Sequence, residues 1–294
     1  MDTFRRDAQG RWRVNPDKLR VLPFSSTLDT PNAAPAVAAN SSAGPFPLSA
    51  PYHGPFEIFE IAVQATSLDF TLEFFYRRRN LQNYPIHARS VLGGEIPQAT
   101  NIGYGSSLLV ETLWLEPQET LGVKFTDLSG SSNTIRFVAH GRLYLRDEID
   151  AISPGLKEYI SGKQRGNNVT QPFWYAAADP TTGAVPWAIA SQATENQTLH
   201  IGEDGSFELR KITGISTGDY TIQFTHPSGR QLSNQPIHNE VTVGRAPFPF
   251  FFREPLFLKR GTNLQIQITD LSVATNNVYL TLAGRRIYAG DEGV

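Results

Sequence analysis

Apolar and polar residues alternate in short runs along most of this chain, the period of half-buried strands rather than of helices. Between Phe56 and Leu145 six such runs follow one another: FEIFEIAVQA, LDFTLEFFY, PIHARSVLG, SLLVETLWL, ETLGVKFTDL and NTIRFVAHGRLYL. In the second, Phe70, Leu72 and Phe74 fall on one face. Gly, Pro, Asn and Ser separate the runs, so the pattern predicts an antiparallel sandwich or jelly roll. No segment before residue 145 carries a helical period.

The pattern then repeats. LQNYPIH (Leu81 to His87) returns as LSNQPIH (Leu232 to His238), and Gly93 returns as Gly244 in the same register. Leu113 to Arg142 aligns without a gap on Leu256 to Arg285, with 10 identities over 30 positions. Upstream, SFELRKITGI matches PFEIFEIAVQ and GDYTIQFT matches LDFTLEFF, placing Phe207 on Phe56. A duplication of this kind sets the architecture before any motif is considered. The expected fold is all-β: two tandem duplicated antiparallel β-sandwich (jelly-roll-like) domains with an extended N-terminal arm.

The arm is expected over residues 1–54, because its Ala-, Pro-, Ser- and Asn-rich stretch has little periodicity and no core of its own. Within it, Leu19 to Phe24 reads as a short edge strand. The first sandwich is expected over 55–148 and the second over 171–294. Between them, 149–170 reads as a linker with a short helix, since Ser153 followed by Pro154 is a helix-start signal.

Composition narrows the function classes. Charged residues make up 18% of the chain, below the usual quarter, so either much surface is covered by something else or aromatics simply fill β-strands. A net charge of −2 with no basic stripe argues against nucleic acid as main ligand. The cluster Arg77-Arg78-Arg79 reads as a solvated turn. The absence of cysteine removes disulfides, thiolate metal sites and cysteine nucleophiles, and makes a reducing cytoplasm the expected place of folding. The N-terminal stretch lacks the apolar core of a signal peptide, and no stretch has the length of a membrane span.

The repeated residues read mostly as scaffold. Asp127 with Asn133, and Asp270 with Asn276, bracket equivalent turns, where Asp, Ser and Asn side chains bind nearby backbone; the spacing lacks the dense carboxylates of a calcium loop. Gly141 and Gly284 mark a bulge or a close backbone approach. Arg142 and Arg285 follow them, and each is expected to pair with the Asp of its own repeat. His87 and His238 lack a second ligand at metal spacing and read as structural. No nucleophile elbow, phosphate loop, zinc-helix motif or dinucleotide fingerprint is present, so no catalytic residues, metal or cofactor are expected. The segment after Gly244 is different. Phe248, Phe250, Phe251 and Phe252 lie in what reads as a loop, either plugging the end of the sandwich or anchoring a partner. Together with Leu19, Val21 and Phe24 of the arm, they are the candidate interface residues.

The arm, the repeated TDLS…N…GR signature, the low charge and the lack of a catalytic motif together resemble virion structural proteins of bacteriophages: capsid, cement, or neck and tail components. The layout is also similar to a compact version of double-jelly-roll capsid proteins. The resemblance implies a non-enzymatic protein that self-associates or clamps neighbouring subunits through its arm and loops. Its partners would be its own copies or other virion proteins, with no membrane, and its location the virion. Modules that look small for a shell favour a cement or decoration role. The alternative is a carbohydrate- or receptor-binding tail protein that stacks sugars on Trp114, Trp174 and Trp187.

Overall fold

Alternation along each strand becomes burial in the structure: Thr120–Asp127 alternates outward and buried residues along its whole length. The computed structural model describes residues 4–6, 12–14, 21–28, 36–51, 54–67, 69–78, 81–85, 91–92, 107–144, 170–183, 185–244 and 249–288. The strands begin with β1 (Phe4–Arg6) and β2 (Trp12–Val14), which pair as a small ribbon. Then follow β3 (Val21–Thr27), β4 (Ala36–Val37), β5 (Ser42–Ser49), β6 (Phe56–Ala65), β7 (Phe70–Arg78), β8 (Leu81–Pro85), β9 (Val91–Leu92), β10 (Ser107–Leu115), β11 (Thr120–Asp127) and β12 (Asn133–Tyr144). The second half holds β13 (Thr170–Ala176), β14 (Trp187–Ile189), β15 (Thr194–His200), β16 (Gly205–Ser216), β17 (Tyr220–Thr225), β18 (Ile237–His238), the single-turn helix α1 (Asn239–Thr242), β19 (Phe250–Leu258), β20 (Asn263–Asp270) and β21 (Asn276–Tyr288).

These strands form two pairs of antiparallel sheets. In the first half the orders are β10-β6-β12-β3 and β5-β11-β7-β8; in the second they are β13-β21-β16-β19 and β15-β20-β17-β18. With the eight main strands of each half lettered B to I in chain order, both halves read B-I-D-G and C-H-E-F. The fold is two jelly rolls of the same topology.

Part of the expected arm is strand. β3 and β5 are the B and C strands of the first jelly roll, antiparallel to β12 and β11. Both contain proline, Pro23 in β3 and Pro45 and Pro47 in β5, and both lie at sheet edges, where the missing N–H removes no ladder bond. β13 and β19, each with a proline, are edges too. The expected helix at residues 153–162 lies outside the described residues, as does most of the expected linker.

Each jelly roll buries its own core between its sheets. The first is built on Phe56, Phe70, Phe74, Val123, Phe125 and Phe137, the second on Phe173, Trp187, Phe207, Tyr220, Ile266 and Leu280. No helix among the described residues is long and apolar enough to cross a membrane.

Candidate functional site

The two jelly rolls meet edge to edge. β10, the G strand of the first, lies against β13 and β21, the B and I strands of the second. β13 alternates across its sheet. Phe173 points into the second core, while Trp174 points the other way and joins the first core. The Trp174 ring lies 5.6 Å from that of Phe74, in a socket lined by Ile58, Ile61, Leu113 and Leu121. Ala283, paired with Trp174 across the ladder, joins the same cluster.

Among the described residues, no strand of the other jelly roll lies against β19 or β3 as β13 lies against β10. β19 is the G strand of the second jelly roll and matches β10 residue for residue, Phe250 on Ser107 and Leu258 on Leu115, through the same register shift. Phe251 is 59% exposed and Phe257 54%. Phe250 and Phe252 are half-buried and meet edge-to-face at 5.4 Å, and Phe252 packs on the second core. The expected loop is therefore the start of an edge strand, serving partly as plug and partly as exposed apolar edge. Phe248 lies outside the described residues, as does Leu19. Val21 and Phe24 are in β3, opposite Tyr144 and Gly141. Phe24 stands at the register position of Phe173, and Ser25 at that of Trp174, since Gly141 and Gly284 face Phe24 and Phe173.

The duplicated turn residues form a clasp in each copy. Asp270 accepts from the Gln192 N–H (2.9 Å), the Ser272 N–H and hydroxyl (3.0 Å each) and the Asn276 amide (2.8 Å). Asn276 in turn accepts from the Gly218 N–H and donates to the Gly218 carbonyl. Three loops, B–C, D–E and H–I, are thereby tied together. In the first copy Asp127 accepts from the Asn40 N–H and the Ser129 hydroxyl, and Asn133 from the Ser67 N–H. Burial alone would raise both carboxyls; the hydrogen bonds outweigh it and hold them below the ordinary carboxylate value.

The expected Asp–Arg staples do not form. H and I strands belong to opposite sheets, and Arg142 stands nine residues along β12 from Asn133, roughly 30 Å at about 3.3 Å per residue. Each Arg instead faces a glutamate of the D strand: Arg142 opposite Glu57, Arg285 opposite Glu208. Glu208 receives Arg285 at 2.8 Å and Arg210 at 2.6 Å. Burial opposes its ionisation, but the two guanidiniums prevail and keep its carboxyl below the ordinary value. In the first copy Phe59 replaces Arg210; the Arg142 guanidinium lies 5.7 Å from its ring, and Glu57 accepts from the Tyr144 hydroxyl at 2.8 Å. The repeated Phe-Glu before the D-strand bulge is the sequence signal for this pair, missed because the partners face each other across a ladder.

The three tryptophans of the expected sugar platform lie inside the protein. Trp114, Trp174 and Trp187 are 1%, 8% and 0% exposed, which removes the expected sugar platform. His238 caps α1, its ring nitrogen accepting from the Glu240 N–H at 3.4 Å. A cleft of about 640 Å³ opens between Gly214–Tyr220 and Asn239–Gly244, but its acids, Asp219 and Glu240, are both exposed. Among the described residues no group of three His, Asp or Glu side chains could hold a metal ion.

No protein-family model and no curated protein matches the sequence. The fold is shared with the major capsid protein P2 of bacteriophage PM2, at 9% identity and a TM-score of 0.51, over 93% of this chain and 100% of that one. PBCV-1 Vp54, as fitted into a reconstruction of the virophage Sputnik, aligns over 95% of this chain and 97% of its own at 7% identity and a TM-score of 0.39. N-glycanase F aligns over 90% and 96% at 9% identity and 0.33. The PM2 likeness is one of fold; the other two are too distant to inform function.

Proposed function

We propose that the chain is a non-enzymatic capsid protein that assembles with copies of itself into the shell of a virion. The observation that carries this reading is the pair of complete, identically connected jelly rolls in one chain, a fold and a length shared with a protein named as a major capsid protein. A match spanning the whole of that protein also favours a shell subunit over the cement or decoration role that small modules suggested. A core without cysteine suits folding in a host cytoplasm before assembly.

The duplication supplies a mechanism. The internal contact sets a G edge against a B strand, so it is heterologous: the two surfaces differ, and one of each is left over. Among the described residues the uncovered G edge is β19 and the uncovered B strand is β3. Repeating the internal contact between copies would set β19 of one copy against β3 of the next, head to tail, which closes into a ring when the rotation allows. Phe251 and Phe257 are the apolar residues such a contact would cover, and an uncovered apolar edge strand invites aggregation. Serine at the position of Trp174 leaves this contact without the tryptophan anchor, so it is expected to be weaker than the internal one.

The reading is tested by light scattering behind size-exclusion chromatography. The wild type is expected to form a discrete oligomer. Phe251→Ser with Phe257→Ser should give a monomer whose melting temperature stays within about 4 °C of wild type, because both side chains are surface positions in the isolated chain. A wild type that stays monomeric at every concentration, or a double variant that keeps the wild-type oligomer, would count against head-to-tail assembly.

A further inference from the structure

The C-H-E face of the second jelly roll carries no carboxylate, ammonium or guanidinium on any outward position. On β15 the outward residues are Thr194, Asn196, Thr198 and His200. β20 continues the face with Asn263, Gln265, Gln267 and Thr269, and β17 with Thr221 and Thr225, which flank the buried Gln223, its amide donating to the Ser233 carbonyl. A soluble surface carries about a quarter to a third of charged residues, so a face of this size would ordinarily hold about three.

The strands are in register, so these side chains stand in rows that bond across the ladder. Thr194 and Thr269 share a hydroxyl bond of 2.8 Å, Gln267 donates to Asn196 at 3.1 Å, and Thr198 donates to Gln265 at 2.9 Å. The side chains are therefore ordered before anything docks, which lowers the entropic cost of contact. The jelly roll itself does not demand this surface. The equivalent face of the first copy holds the ion pair Lys124–Glu73 and a row of Pro47, Gly122 and Phe75.

We propose that this uncharged face is a second contact between copies, a lateral one that joins it to the same face of a neighbour. Hydroxyls and amides both donate and accept, so the face is complementary to itself, and two copies meet there without charge repulsion. Being polar, it stays wet and leaves the free chain soluble. Glycan recognition is disfavoured because no aromatic stands among the outward residues. The patch measures about 330 Å², seven residues of about 3.3 Å by three strands of about 4.8 Å, well under the roughly 800 Å² per partner of a stable dimer. It would hold only units that are already multivalent, through summed weak contacts. The inference rests on the capsid reading and adds a lattice contact to it.

The experiment uses the full chain with Asn196→Lys and Asn263→Lys, a second form with Asn196→Glu and Asn263→Glu, and an equal mixture of the two. Assembly beyond the small oligomer is followed by electron microscopy and by the protein concentration at which scattering rises. Each variant alone is expected to need at least about tenfold more protein than wild type, through like-charge repulsion, with unchanged small oligomer and melting temperature. The mixture is expected to assemble again, in a salt-sensitive way, while wild-type assembly changes little between about 0.05 and 0.5 M salt. Variants that assemble like wild type overturn the proposal and leave the capsid reading standing. Two failing variants that do not rescue each other overturn the self-pairing, and a wild type that never assembles removes both readings.

Discussion

Asp270 sits almost fully buried with four donors converging on it, and that geometry makes its charge part of the fold. An asparagine there would present an NH₂ group to donors that need an acceptor. Asp270→Asn is expected to lower stability at neutral pH by about 1–3 kcal/mol, the usual magnitude for orphaned buried donors. Its pH dependence follows from the direction of the shift. The folded carboxyl lies below its ordinary value, so the folded state binds fewer protons than the unfolded one near and below about pH 4. The stabilisation is fully present above that range and is lost as the pH falls through the folded value. Urea unfolding at pH 7 and near pH 3 should show the wild-type advantage shrinking; an advantage independent of pH would mean the charge is not what the clasp uses. At this scale the sequence was readable where chemistry is local. Asp, Ser and Asn within seven residues announce a turn, and the turn is there. Arg142 and Arg285 were misassigned because their partners are across a ladder rather than along the chain, and the H and I strands that carry the Asp and the Arg belong to opposite sheets.

At the scale of elements, the duplicated glycines show what the repeat preserves. Gly141 pairs beside a bulge at Phe59, and Gly284 beside one at Arg210. A Cβ at either position would collide with a backbone carbonyl, that of Glu57 or of Glu208, and with the ring of Phe56 or Phe207. Neither carbonyl can move without breaking its ladder, so rotamer change offers no relief. Gly284→Ala is expected to cost about 1–3 kcal/mol by overpacking, and Gly141→Ala the same. Equilibrium denaturation of both variants checks this, and a neutral effect at either site would show that the bulge can shift. Alternation along the D strand sets Glu57 and Glu208 opposite their arginines on the outer side while Phe56 and Phe207 stay inside. Strands with strong alternation were legible in advance. β5 was not, and β3 only over Val21 to Phe24, within the short edge strand expected at Leu19 to Phe24, because edge strands tolerate proline and small residues and so lose the apolar signature that central strands keep. β19 was misjudged for a related reason: a run of phenylalanines breaks the period of two, yet an edge strand with one face uncovered can hold it.

Across the whole molecule the two jelly rolls are equivalent in topology and unequal in dependence. Among the described residues the second core draws on its own half, from Phe173 to Leu282, whereas the first takes Trp174 and Ala283 from its neighbour. The asymmetry follows from the heterologous contact, in which the G edge of one sandwich is closed by the B strand of the next. Trp174 fills space in the first jelly roll although its backbone belongs to the second, so removing it should strike the domain that does not contain it. Trp174→Ala is expected to cost about 3–5 kcal/mol, as for other buried large-to-alanine changes, and nearly all of it should fall on β6, β7, β10 and β11. Hydrogen exchange in rising denaturant separates the two domains. In the variant, amides of β6 and β11 should lose protection while those of β16 and β20 keep theirs, and cooperative unfolding should split into two steps. If both jelly rolls still unfold together, or if the second unfolds first, the tryptophan is not the anchor that the contact with Phe74 implies. If the split appears, it also bears on assembly. A first jelly roll stabilised only when its open G edge is closed implies that the second one, whose G edge is β19, should gain stability when the next copy closes that edge. Oligomer formation should then raise the protection of β16 and β19 in the wild type, and dilution to monomer should remove it.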